Sequence, residues 1–190
     1  MEDRFIEENL KTRLILSGLR ELSERGLADF SLRRVALDAQ VSCAAPYRHF
    51  KGKDELILGI ISYVRDGWLL LCEQISAVFS DSSLLRLCEL CASGLRFWCG
   101  NGDFRSVLFL DNGDGMYRDE LRLFDKPLLD TLGEFCREKG IDGEGEGELE
   151  YFILSLYRGT VMLVCADRLD TDTAVKRMKE CISAKLESIQ

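Results

Sequence analysis

Apolar residues return at steps of three and four along nearly the whole chain, and no stretch alternates with a period of two. That pattern predicts helices throughout and no sheet. The first predicted helix runs over about 3–25, with Phe5, Ile6, Leu10, Leu14, Leu19 and Leu22 on its buried face and Gly26 as its left-handed stop. A second covers 32–39, LRRVALDA, with Ser31 at its N-cap and Phe30 placed to pack on Val35 as a hydrophobic staple. Gln40, Val41 and Ser42 then separate it from a third, CAAPYRHF over 43–50, which Ser42 is placed to cap. Pro46 becomes the fourth residue of that helix, early enough for its missing amide to cost at most one bond. Two short helices across so tight a turn form a helix-turn-helix, with Val41 in the angle and Ala36 and Ala39 small enough for close approach.

After Gly52 a long helix is expected, its stripe of Leu56, Ile57, Ile60, Ile61, Val64, Trp68, Leu71, Ile75 and Phe79 continuing to about Ser80. At the helical rise this is roughly 40 Å, enough to leave one domain and enter another. Further helices are predicted at about 81–99, 103–111, 117–125, 127–139, 147–168 and 172–188, broken by GNG, NGDG, Pro127 and GIDGEGEGE. The acidic, glycine-rich run reads as a flexible solvated loop, because its alternation lacks the twelve-residue calcium-loop pattern. The last two helices carry long apolar faces, which invite a second copy of the chain.

Composition narrows the class. With 46% hydrophobic residues among 190, the chain has ample material for a core. No apolar run approaches the roughly 20 residues of a membrane span, and the N-terminal residues lack the order of a secretory signal, so a cytoplasmic protein without a membrane partner is expected. The net charge of −8 conceals an asymmetry: residues 31–53 hold five Lys or Arg against one acid. A local basic patch on an acidic body fits a nucleic-acid contact. The eight cysteines read as free thiols in a reducing compartment. Cys88 and Cys91 make a Cys-x-x-Cys spacing, but no second pair accompanies it and the single histidine, His49, lies in the third helix, so no metal site or cofactor is expected. No paired carboxylates or Cys–His arrangement suggests an enzyme.

The stretch GLADFSLRRVALDAQVSCAAPYRHFKGKDELI, residues 26–57, resembles the tetracycline-repressor (TetR) family of bacterial transcription regulators, whose helix start, AGVS turn, Tyr-x-His-Phe and Lys-x-x-Leu it follows. The resemblance extends over residues 10–64. It implies an all-α chain with a three-helix helix-turn-helix DNA-binding domain at 1–52, joined by a long fourth helix to a helical ligand-binding and dimerisation domain at 53–190. It also implies a homodimer through the last two helices that reads a palindromic operator in double-stranded DNA and is released by a small-molecule effector, most often as a repressor. Candidate DNA-contacting residues are Ser31, Arg33, Arg34, Ser42, Cys43, Ala44, Ala45, Tyr47, Arg48, His49 and Lys53. By family position, Tyr47, His49 and Lys53 grip phosphates, Arg33 reaches a base or phosphate, and the small Ala44 and Ala45 bring the helix close to base edges. Gln40 stands where the family has glycine; a left-handed backbone there costs a non-glycine residue about 1 kcal/mol. A pocket lined by Trp68, Phe97, Trp98, Phe104, Phe109, Tyr117, Phe124, Tyr151 and Tyr157 would take an apolar or aromatic effector. A regulator of the same fold that answers to thiol chemistry or a metal is the alternative.

Overall fold

In the computed structural model the backbone is described for residues 2–110 and 115–189, with side chains described from Asn9 onward. Phe5 and Ile6, expected on the buried face of the first helix, lie outside the described side chains. Ten helices and no strand are found among the described residues: α1 (Glu2–Arg25), α2 (Leu32–Asp38), α3 (Pro46–His49), α4 (Lys53–Val78), α5 (Ser83–Gly100), α6 (Gly102–Leu108), α7 (Arg118–Arg122), α8 (Lys126–Lys139), α9 (Gly143–Cys165) and α10 (Thr171–Glu187).

The chain divides into two compact units. The first holds residues 1–66 and 101–123, so α6 and α7 join the N-terminal helices although α5 precedes them in sequence. Its core is the apolar stripe of α1 (Leu14, Leu19, Leu22), Val35 and Ala36 of α2, the first half of α4 (Leu56, Ile57, Ile60, Ile61, Val64) and Val107 of α6, all buried. Gly18 serves the crossing of α1 and α4, because a Cβ there would stand 2.9 Å from Ile60 Cδ1. α1 stops at Gly26, whose φ of 71° is the left-handed conformation glycine adopts without a Cβ penalty.

The second unit holds residues 67–100 and 124–190. Here α5 is central, packing on α8, α9 and α10 through Leu87, Leu90, Cys91 and Leu95. The acidic glycine run expected as a loop is helical instead: α9 begins at Gly143. Glu144 and Glu146 fall in its first turn, where carboxylates face the positive end of the helix dipole. Burial of Leu149, Ile153, Tyr157 and Val161 further along the helix then outweighs the roughly 1 kcal/mol helix penalty of each glycine.

Candidate nucleic-acid interface

The turn after α2 is built by two amide bonds. Gln40 N–H donates to Leu37 O at 3.0 Å and Val41 N–H to Ala36 O at 2.9 Å, the nested pair of a Schellman cap. This cap needs a left-handed residue between helix and turn, and Gln40 occupies it with φ 56°. The family's glycine position thus keeps its backbone conformation with a side chain present.

The third helix differs from the expectation in three ways. It starts at Pro46, as the first helical residue, with Ala45 as N-cap; Ser42 does not cap it. A turn precedes it, closed by Ala45 N–H to Ser42 O at 2.9 Å, and the first four-residue step is Phe50 N–H to Pro46 O, also 2.9 Å. Proline explains this: without an amide it cannot bond back to Ser42, so the helical ladder has to begin after it. Ala45 is itself right-handed (φ −60°, ψ −44°), so the turn feeds into the helix without a break.

The short element has two faces. Pro46 and Phe50, four apart, are buried together with Ala45, which is only 6% exposed. Ala44, Tyr47 and Arg48, spaced by three and four, are exposed, Tyr47 to 61%. Ser42 and Cys43 are exposed beside them, and Arg33 is exposed on α2. Arg33 and Arg48 make no ion pair with the described residues. His49 is half-buried, its ring 6.5 Å from that of Phe50. Ala45, expected against base edges, is therefore turned into the domain.

Two other candidates are tied to partners within the domain, Arg34 while remaining exposed. Arg34 donates through Nε to Glu21 Oε1 at 2.7 Å and also bonds the Asp29 carbonyl. The Glu21 hydrogen bond, before any other influence, raises its pKa. Lys53 donates to the Leu27 carbonyl, with its ammonium 6.0 Å from the centre of the Phe30 ring. Ser31 is the N-cap residue of α2, but its side chain makes no capping bond; its backbone N–H donates to Glu21 Oε1 at 3.1 Å.

Glu21, buried to 8% exposure, is thus a hub that sequence reasoning missed. It belongs to a polar stripe on α1, Arg13, Ser17, Arg20 and Glu21, that braces α2: Arg13 bonds the Ala39 carbonyl and Arg20 Nη2 meets Asp38 Oδ2 at 2.5 Å. Hydrogen bonds from Ser17 first, then Arg20, hold the Asp38 carboxyl below its usual pKa. The spacing 13, 17, 20 and 21 on one helical face was the available signal.

The aromatic residues expected to line a pocket are shared between the two units. Trp68, Phe97, Trp98, Phe124 and Tyr157 form one cluster in the second unit. Trp68 and Phe97 lie 5.5 Å apart, Phe97 and Trp98 5.2 Å, and Trp98 and Phe124 5.1 Å between ring centres. Trp68 Nε1 donates to the Phe124 carbonyl at 2.9 Å. Tyr157 is packed over Gly94, and its hydroxyl is buried without a hydrogen-bond partner of good geometry. Desolvation foremost, then the neighbouring Cys91, raises its pKa well above the usual phenol value, against a weaker, poorly aligned interaction with Trp98. Phe104, Phe109 and Tyr117 belong to the first unit, where Tyr117 Oη donates to Asp54 Oδ1 at 2.7 Å and Phe109 lines an open groove of about 360 Å³ against α1. Tyr151 lies 76% exposed on α9.

Among the described residues no three His, Cys, Asp or Glu side chains are grouped to hold a metal ion, and no helix is long and apolar enough to cross a membrane.

α2, its left-handed turn and α3 define a helix-turn-helix protein. Residues 14–60 match the sequence profile described as bacterial regulatory proteins, tetR family. Solved structures share the fold over nearly the whole chain. A TetR-family regulator from Streptomyces coelicolor is 22% identical (TM-score 0.71, covering 96% of each chain). One from Haloarcula marismortui is 18% identical (TM-score 0.71, 96% of this chain and 98% of that one). The transcriptional regulator FadR of Bacillus subtilis, in complex with stearoyl-CoA, is 16% identical (TM-score 0.72, 90% and 96%). No curated protein sequence matches the chain. Residues 14–60 thus resemble the tetR-family DNA-binding domain, and the chain shares the fold of TetR-family regulators over nearly its whole length.

Proposed function

We propose that the protein is a repressor that reads a palindromic operator as a homodimer and is released by a small apolar or amphiphilic effector. The observation that carries the reading is the outward face of Arg33, Ala44, Tyr47 and Arg48 on a helix-turn-helix where Arg34 and Lys53 are held by partners within the domain. Arg33, Tyr47 and Arg48 are the phosphate and base contacts of this reading, and Ala44 gives the backbone room in the major groove. Arg34 and Lys53 support the reader by fixing its frame.

The homodimer is supported by α9, where Tyr151, Met162 and Leu163 stand half-exposed or more on one chain. An apolar effector is supported by the buried aromatic cluster of the second unit. Its orphan Tyr157 hydroxyl offers one polar anchor, and a protein of this fold holds an acyl-CoA.

The test is fluorescence anisotropy with duplex DNA taken from upstream of the chain's own gene, over a salt series. Tyr47→Ala and Arg48→Ala should each weaken binding and flatten the salt slope by about 1 if each contacts a phosphate. Substitutions at Ala44 should change which sequence is preferred. Equal affinity for upstream and unrelated DNA would end the operator reading. Light scattering should give twice 21.6 kDa, reduced to a single copy by Leu163→Glu.

A further inference from the structure

We propose that Cys99 and Cys165 are a redox-active pair that closes to an intramolecular disulfide. This does not rest on the DNA-binding reading. Cys99 is the penultimate residue of α5 and Cys165 the last of α9, and their Sγ atoms are 3.9 Å apart. Both residues are partly exposed, unlike the buried cysteines of the same unit. Both sit in the last turn of a helix, where side-chain rotation and small end adjustments are least opposed by packing. Closing 3.9 Å to a bond of about 2.05 Å is then a local movement.

The other six cysteines contrast with this pair. Cys72, Cys88, Cys91 and Cys136 are buried, and desolvation pushes their thiols up, that of Cys72 to about 12, so they stay protonated at neutral pH. Cys43 and Cys181 are exposed, with no sulfur partner among the described residues. Only Cys99 and Cys165 combine access with a neighbouring sulfur. Their place in the chain adds a consequence. Cys99 precedes Gly100, the last residue of the second unit before the chain passes into 101–123 of the first. The bond fastens the end of α5 to the end of α9 at that crossing.

The reaction is thiol–disulfide exchange with a low-molecular-weight disulfide such as oxidised glutathione. The thiolate of one cysteine attacks the disulfide, forming a mixed disulfide and releasing one glutathione thiolate. The second cysteine, deprotonated, attacks the protein sulfur of that mixed disulfide, breaks its S–S bond and releases the second glutathione. The protein loses two hydrogens, and these end on the two released thiols.

The experiment uses the full chain, reduced and then incubated with oxidised glutathione, alkylated, digested and weighed. The oxidised protein should carry two fewer alkyl groups than the eight of the reduced protein. The peptides of Cys99 and Cys165 should be joined. The crosslink should persist in a Cys43→Ser, Cys181→Ser double variant and vanish in Cys99→Ser. Full alkylation of Cys99 and Cys165 while Cys43 or Cys181 carries glutathione or links two copies would overturn the proposal. So would stable glutathione on Cys99 or Cys165 without the joined peptide. Because the wild-type protein gives these readings, they hold even if a variant fails to fold.

Discussion

Around α2 the buried Glu21 and the charged groups beside it are paired, whereas in the aromatic cluster of the second unit one buried hydroxyl lacks a hydrogen bond of good geometry. Glu21 accepts from both the Ser31 amide and Arg34, Asp38 meets Arg20, and Lys53 finds the Leu27 carbonyl. Tyr157 keeps a buried hydroxyl with no good partner, among rings that otherwise pack closely. A satisfied network holds one geometry, because every alternative leaves a charge or donor unpaired. An orphaned hydroxyl leaves hydrogen-bonding capacity unused, which a bound molecule can take up. The difference sets a paired frame around α2 against a closely packed ring cluster with one polar group unanswered, and four changes would break or sharpen it.

The largest effect should come from Trp68→Ala. It removes a fully buried indole together with its bond to the Phe124 carbonyl, and should cost about 3–5 kcal/mol in urea denaturation. A loss under about 1 kcal/mol would mean that the cluster is a loosely filled cavity instead of core.

Tyr157→Phe comes next, with the opposite sign. An unanswered buried hydroxyl costs about 1–3 kcal/mol, so its removal should stabilise the protein by about 1 kcal/mol. Destabilisation in the same denaturation experiment would show that the hydroxyl has a partner, and the contrast between the two regions would disappear.

Gln40→Gly probes the reading head. It relieves about 1 kcal/mol of left-handed strain at φ 56° and gives back a similar or smaller amount by loosening the unfolded chain. The melting temperature should stay level or rise slightly, with the Schellman turn and DNA affinity retained. A marked drop would mean that the Gln40 side chain itself supports the turn.

The smallest effect is the pH dependence of Asp38. Its carboxyl has a folded pKa below the unfolded value, so the stability it contributes is present above the unfolded pKa of about 3.9 and is lost as pH falls through the lower folded value. Thermal melts from about pH 5 down to about pH 2 should show a smaller acid loss for Asp38→Asn than for wild type. The side chain is 48% exposed, so solvent screening keeps the difference small. Identical acid profiles would remove Asp38 from the satisfied network.

The helix-turn-helix was legible because its determinants are local. The three-and-four spacing of Leu19 and Leu22 and of Leu56, Ile57, Ile60, Ile61 and Val64, the stop at Gly26 and the left-handed position at Gln40 all act within one or two turns of chain. A rotation set by neighbours at i+3 and i+4 is written into the order of residues, so the ten helices and the exposed Tyr47 and Arg48 followed from it. Tertiary structure alone decided which basic residues are tied to the domain. Arg34 and Lys53 read like Arg33 and Arg48 in sequence, but Glu21 and the Leu27 carbonyl, 13 and 26 residues away, engage them. Likewise the return of 101–123 to the first unit assigned Phe104, Phe109 and Tyr117 to it, and Cys99 was brought to Cys165 across 66 residues. Such partners are chosen by how whole helices pack. That choice depends on every apolar face in the chain at once, and no short stretch of sequence contains it.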